Sequence, residues 1–152
     1  MPRLSAKKKY PIHGTKYFAA SKSEASIGQA LLIFKYKFIH DEKYPYDDTN
    51  LRFDFMILNS KETPESWNPN SHHVFIEVKD DDKNYLEDLQ EKRNLVNSHD
   101  DVLLVVTDNN SKFLEDDLKE AVNIKNLKGK VRALEYENTK LKNLLKKNNI
   151  KI

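Results

Sequence analysis

Two hydrophobic periods alternate along the chain, and the switches between them set out its elements. Ser21-Lys-Ser-Glu24 has the spacing of a helix N-terminal capping box. Ile27, Ala30, Leu31 and Phe34 follow at i, i+3, i+4 and i+7, which predicts an amphipathic helix over roughly 22–34. From Tyr36 to Tyr46 the period falls to two, with Tyr36, Phe38 and His40 alternating against Lys37, Ile39 and Asp41. Pro45 and the Asp47–Asn50 cluster then mark a turn. Leu51–Leu58 reads as the next strand, with Leu51, Phe53, Phe55 and Ile57 on one face and Arg52, Asp54, Met56 and Leu58 on the other. Residues 59–72 form a long polar loop holding the single tryptophan, Trp67, which either lies over a ligand or folds back on its own domain.

After the loop, Val74, Ile76 and Val78 alternate with Phe75, Glu77 and Lys79, a strand with one aliphatic face and one polar face. Asp80-Asp81-Asp82 ends it and starts a helix, on which Tyr85, Leu86, Leu89, Arg93 and Val96 keep helical spacing to about Asn97. Gln90 and Arg93 share a face there, so Gln90 is a candidate accessory residue. Asp101–Thr107 is apolar throughout its interior, as expected for a strand in the middle of a sheet covered on both sides. A helix from near Ser111 turns Leu114, Leu118 and Val122 inward. The order of helix, three strands, helix, strand and helix predicts a layered α/β domain.

Beyond residue 122 the pattern becomes a heptad. With Ile124 at position a, the later a residues are Val131, Asn138 and Leu145, and the d residues are Leu127, Leu134, Leu141 and Asn148. A single Asn within the a series is the device that specifies a parallel two-stranded register. In a parallel pair Lys130 at g meets Glu135 at e of the partner, and Glu137 meets Lys142, so both pairs attract. The expectation is a homodimer through residues 124–148, with a helix docked on its own domain as the alternative.

Composition sharpens this picture at the ends. One third of the 152 residues are charged, yet the net charge is only +2. The charges are segregated: Arg3, Lys7, Lys8, Lys9, Lys16 and Lys22 stand in the first 22 residues without an acid, and the tail from Lys140 is again basic. Basic ends suit a polyanionic partner. Residues 1–20 read as an extended arm, with Lys7, Lys8, Lys9 and Lys16 as candidate phosphate contacts, together with Arg52. The absence of cysteine removes disulfides and thiolate metal sites. No apolar run reaches the ~20 residues of a membrane span, and no signal-peptide core is evident, so a soluble intracellular protein is expected.

The chemistry gathers on two strands. Asp54 is a lone acid inside an apolar strand, and Glu77 and Lys79 point to one face of the next. Acids are poor strand and core residues, and neighbouring strands lie ~4.8 Å apart, so the two carboxylates are placed to share a cation. Oxygen ligands select Mg2+ or Mn2+ over softer metals. Lys79 would orient or deprotonate a water, and the Val78 carbonyl is a further candidate ligand. Glu24 is read both as a capping residue and as a carboxylate that reaches the site. His73 shares a face with Glu77 and is either an accessory contact or a plain surface histidine. The other histidines show no metal-site spacing.

These residues resemble the PD-(D/E)XK nuclease superfamily, over about residues 21–122. The match rests on Ser-Lys-Ser-Glu24 opening a helix, Leu-Arg-Phe-Asp54-Phe on a strand, Phe-Ile-Glu77-Val-Lys79 on the next, the following helix and the apolar strand Val102–Thr107. Within it the chain looks most similar to compact homing and very-short-patch-repair endonucleases, although Phe53 stands where proline is usual and Glu-Val-Lys follows the restriction-type pattern. The resemblance implies a restriction-endonuclease-like core with Glu24, Asp54 and Glu77 as metal ligands and Lys79 catalytic. It implies a Mg2+-dependent endonuclease acting on DNA. The organisation expected is a basic arm over 1–20, a nuclease domain over 21–122 and a coiled coil over 123–148. The alternative is a non-catalytic DNA-binding or scaffold protein on the same fold, dimerised by the coiled coil.

Overall fold

The computed structural model describes residues 10–47, 49–79 and 86–147. The Lys7–Lys9 run, the Asp80–Asp82 turn and Asn148 therefore lie outside the described residues. Among those described, the chain runs β1 (Tyr10–Pro11), β2 (Phe18–Ala19), α1 (Lys22–Ile33), β3 (Phe38–Lys43), β4 (Arg52–Ile57), β5 (Val74–Val78), α2 (Leu86–Ser98), β6 (Val102–Val106) and α3 (Leu114–Lys147). A 3-10 turn, Ser111–Phe113, leads into α3. This is an α/β fold with a mixed four-stranded sheet in the order β3-β4-β5-β6, the first three strands antiparallel and β6 parallel to β5.

The capping signal at the start of α1 folds as its spacing dictates. The Ser21 hydroxyl accepts the Glu24 N–H at 3.1 Å, satisfying a donor that has no partner within the helix. Ile27 and Leu31 then press onto one face of the sheet, beside Leu114, Leu118 and Ala121 of α3. The opposite face is covered by Val96 of α2 with Tyr44 and Tyr46, against Ile39, Met56 and Phe75. Each large aliphatic or aromatic side chain so buried contributes ~1.5–3 kcal/mol. β5 lies between both layers, and Val74, Phe75, Ile76 and Glu77 are all buried. The polar face expected for this strand lies beneath α2, whose Lys92 reaches Glu77.

Three further expectations change. Residues 10–20 are not a free arm: β1 and β2 form a small hairpin turned at Gly14, which has φ +88°. Ile12 of that hairpin is fully buried against Gly28, where a Cβ would come within 2.7 Å of Ile12 Cδ1. Second, β6 is an edge strand of the four, not a central one. It is apolar because α2 and α3 pack on its two sides. Third, the alternation along β4 breaks. Phe55 and Ile57 face the α1 and α3 layer, whereas Phe53 joins Met56 in the aromatic cluster beneath α2. The break falls where Asp41, opposite Asp54 by register, takes φ +54° and the β3–β4 ladder skips a pair.

α3 is one continuous helix of 34 residues, so Gly129 does not interrupt it. Its first turns are buried through Leu114, Leu118 and Ala121. The heptad stripe is not: Ile124 is 40% exposed, and Leu127, Val131, Leu134 and Leu141 are more exposed still. Residues Val122, Lys125 and Gly129, on the opposite side of the helix, face the domain. No helix among the described residues is long and apolar enough to cross a membrane.

Candidate active site

The start of β4 and the end of β5, the two central strands, meet at one end of the sheet. Pairing runs through Phe55 with Ile76, and the same register places Asp54 opposite Glu77. The backbone ladder stops there, and Asp54 Oδ2 accepts the Val78 N–H at 2.8 Å. A side chain has replaced a strand partner, which fixes the carboxylate against β5. Glu77 is 1% exposed, and its two oxygens differ. Oε1 accepts from Lys92 Nζ of α2 at 2.7 Å. Oε2 has Lys79 Nζ at 3.5 Å and no hydrogen-bond donor.

Glu24 approaches from the start of α1. Its Oε2 lies 2.7 Å from His40 Nε2 and 3.3 Å from the Ala20 N–H. Three carboxylates thus face two ammonium groups, Lys79 and Lys92, in a largely dry setting. The consequence falls on Asp54. Burial, then the Glu77 and Glu24 charges, push its carboxyl well above the usual carboxylate range, against the opposing pull of the Val78 N–H and Lys92. Burial, with Glu77 and Asp54 nearby, likewise raises the Tyr44 hydroxyl, which is buried without a hydrogen-bond partner.

The structure brings together Asp54, Glu77, Lys79 and the backbone of Val78, with Glu24 close enough to act on Asp54 by charge. Glu24 itself is bound to His40, and no three Asp, Glu or His side chains among the described residues form a ready metal-binding group. Other candidates fall elsewhere. Gln90 is exposed and donates to Asn94 on its own helix. Arg52 is held by the Asp41 carboxylate at 2.9 Å and by the Asp41 carbonyl. Lys16 stands beside the Tyr17 ring on the N-terminal hairpin.

His73 is a clear correction. It is no surface histidine but fully buried at the other end of β5, bonded to Glu62 at 2.9 Å and set edge-on to Trp67. Four residues of strand separate it from Glu77, ~13 Å. Trp67 accordingly folds back on its own domain.

Two site residues escaped the sequence reading. Lys92 carried a usable signal: it lies three residues after Leu89 and four before Val96, on the inward stripe of α2. His40 carried none beyond its place on a strand. No family model matches the chain, no curated protein is detectably similar to it, and no solved structure matches it.

Proposed function

We propose that the chain is a divalent-metal-dependent endonuclease of the restriction-endonuclease-like kind, acting on DNA phosphodiesters at the Asp54–Glu77–Lys79 cluster. The observation that carries this reading is Glu77 Oε2: a buried carboxylate oxygen without a donor, beside a second carboxylate whose ionised form is disfavoured. Two buried carboxylates side by side, one with an oxygen short of a donor despite the nearby Lys79 and Lys92, gain free energy from an added cation. The donor set suits Mg2+ or Mn2+, since such ions take one or two carboxylates and keep several waters. Asp54 and Glu77 would hold the ion, with the Val78 carbonyl beside them and Glu24 once released from His40. When bound, the ion would polarise a phosphodiester and acidify a water.

The chain's own residues supply the rest. Lys92 holds Glu77 in orientation through its hydrogen bond to Oε1. Lys79, on the same strand face, is placed to orient the attacking water and offset charge growing on the phosphate. A second copy is the proposed partner at the exposed stripe of α3, supported by the attractive Lys130–Glu135 and Glu137–Lys142 pairs across a parallel interface. Since α3 is continuous from the domain into that stripe, the dimer would present two sites in fixed relation. Glu substituted at Leu134 should then halve the mass seen by sedimentation.

The test is cleavage of supercoiled plasmid with Mg2+, Mn2+ or EDTA by the native chain, Lys79→Ala and Asp54→Ala. Metal-dependent nicking or linearisation, lost in both variants, is the expected result. DNA binding without cleavage under any metal would favour the non-catalytic DNA-binding reading. Cleavage that survives both substitutions would move the site elsewhere.

A further inference from the structure

A groove lies well away from the carboxylates. About 880 Å³ in volume, it lies at the opposite end of β5, between α3 and the loops that flank β3 and β4. That volume is in the range of small-ligand sites. Its floor is apolar, made by Ile57, Leu58, Val74 and Val122, with the Tyr36 ring at the side. Four lysines line it, Lys35, Lys37, Lys125 and Lys130, and no carboxylate does.

The charges are held in place by neutral acceptors. Lys37 Nζ donates to the carbonyls of Ser60 and Glu62, and Lys125 Nζ to Asn59 Oδ1. None of the four makes a salt bridge among the described residues. The carboxylates nearest Lys125, those of Glu62 and Asp101, are already engaged by His73 and Tyr46. Lys130 stands at heptad position g and is committed to the interhelical pair in a dimer. Lys35, Lys37 and Lys125 thus ring an apolar floor with no carboxylate among its lining residues. Glu62 and Asp101 act on Lys125 by charge but form no salt bridge with it, and cations gathered around one groove repel.

We infer that this groove is a second ligand site, separate from the carboxylate cluster, that takes a nucleotide unit. Its phosphate would meet Lys35, Lys37 and Lys125, and its base would lie on the apolar floor beside Tyr36. The phosphate comes either from a free nucleotide or from the backbone of a nucleic acid strand; both present the same chemistry. Asn126, which also lines the groove, offers an amide to a base edge.

The experiment is fluorescence anisotropy of a labelled ten-residue oligothymidylate with the full chain, in EDTA so that cleavage plays no part. Lys35→Glu is the first variant, because Lys35 is exposed and its hydrogen bond to Leu32 is made by the backbone, which the substitution leaves in place. Lys125→Gln is the second, and Lys119→Glu, on an exposed part of α3, is the control for net charge. Thermal melts confirm that each folds. Affinity is expected to fall ~10-fold in Lys35→Glu at low salt, with a shallower salt slope, and to hold within twofold in Lys119→Glu. Displacement by ATP identifies the free nucleotide as source, and displacement only by unlabelled oligonucleotide identifies the backbone. Equal affinity in Lys35→Glu and Lys125→Gln, or displacement by polyglutamate as effective as by either phosphate ligand, would overturn the inference. The nuclease reading stands or falls separately, on Lys79→Ala and Asp54→Ala in plasmid cleavage.

Discussion

Two clusters of buried acids sit at the two ends of β5, and they are built in opposite ways. At the start of the strand the Glu62 carboxylate accepts the N–H groups of Asn59 and Asn68, each at 2.8 Å, and a His73 ring nitrogen. Asp101 accepts the Tyr46 hydroxyl and the His73 N–H. At the far end Asp54 has one N–H, Glu77 leaves an oxygen without a donor, and three acids face two lysines. Both clusters are dry, so burial of charge does not separate them. Compensation does. A buried acid with its full set of donors stabilises the fold, whereas one left short of donors is a place where an added cation gains free energy.

The titration of the two ends reflects the same contrast. Burial pushes the Glu62 carboxyl up, but the Asn68, Asn59 and His73 hydrogen bonds together outweigh it and hold the group below its ordinary range. Asp54 is held well above its own.

The largest effect should come from breaking the satisfied end. Asp101→Ala strands the Tyr46 hydroxyl and the His73 N–H in the core, and a loss of ~3 kcal/mol in urea unfolding is expected. Glu62→Gln sharpens this through pH. Because the folded pKa of Glu62 lies below the unfolded value, its contribution is complete above about 4.3 and fades as pH falls through the folded value. The melting difference between the native chain and Glu62→Gln should therefore close in acid. A constant difference would show that the carboxylate charge plays no part.

The unsatisfied end should answer with the opposite sign. Asp54→Asn keeps an acceptor for the Val78 N–H and removes the disfavoured charge, so it should gain ~1 kcal/mol at neutral pH. The folded pKa here is raised, so the cost of the ionised group is absent below about 3.9 and grows as pH rises through the folded value. The gain should vanish in acid. The smallest effect is a control that touches neither cluster. A Cβ at Gly129 would meet only His72 Cδ2 at 3.8 Å, so Gly129→Ala should add about 0.5 kcal/mol through helix propensity alone, without pH dependence.

The contrast also explains what the sequence made legible. Asp54 and Glu77 stood out because acids interrupt apolar strands, and the strand period placed them on neighbouring positions. Glu62 read as one more polar loop residue, because Asn59, Asn68 and His73 converge on it only once the loop folds, and Asp101 as a strand boundary, because Tyr46 is 55 residues from it. His73 was misread for the same reason, since a polar strand position looks solvated until α2 and the Trp67 loop cover it. Lys92 is absent from the stripe drawn through Leu89, Arg93 and Val96, because Arg93 fits the same spacing and a lysine reads as a solvent residue. The position of β6 at the sheet edge was not legible either, because helices on both sides make an edge strand as apolar as a central one. The shift of Phe53 to the α2 face depends on Asp41 adopting a left-handed backbone, which no local periodicity signals.

The most direct test of the central claim is a thermal melt of the native chain and Asp54→Asn across a Mn2+ titration at neutral pH. The account predicts that Asp54→Asn melts higher without metal, and that Mn2+ raises the native chain while leaving the variant nearly unmoved. Equal shifts in both proteins, or none in either, would contradict a cation site at the unsatisfied end of β5.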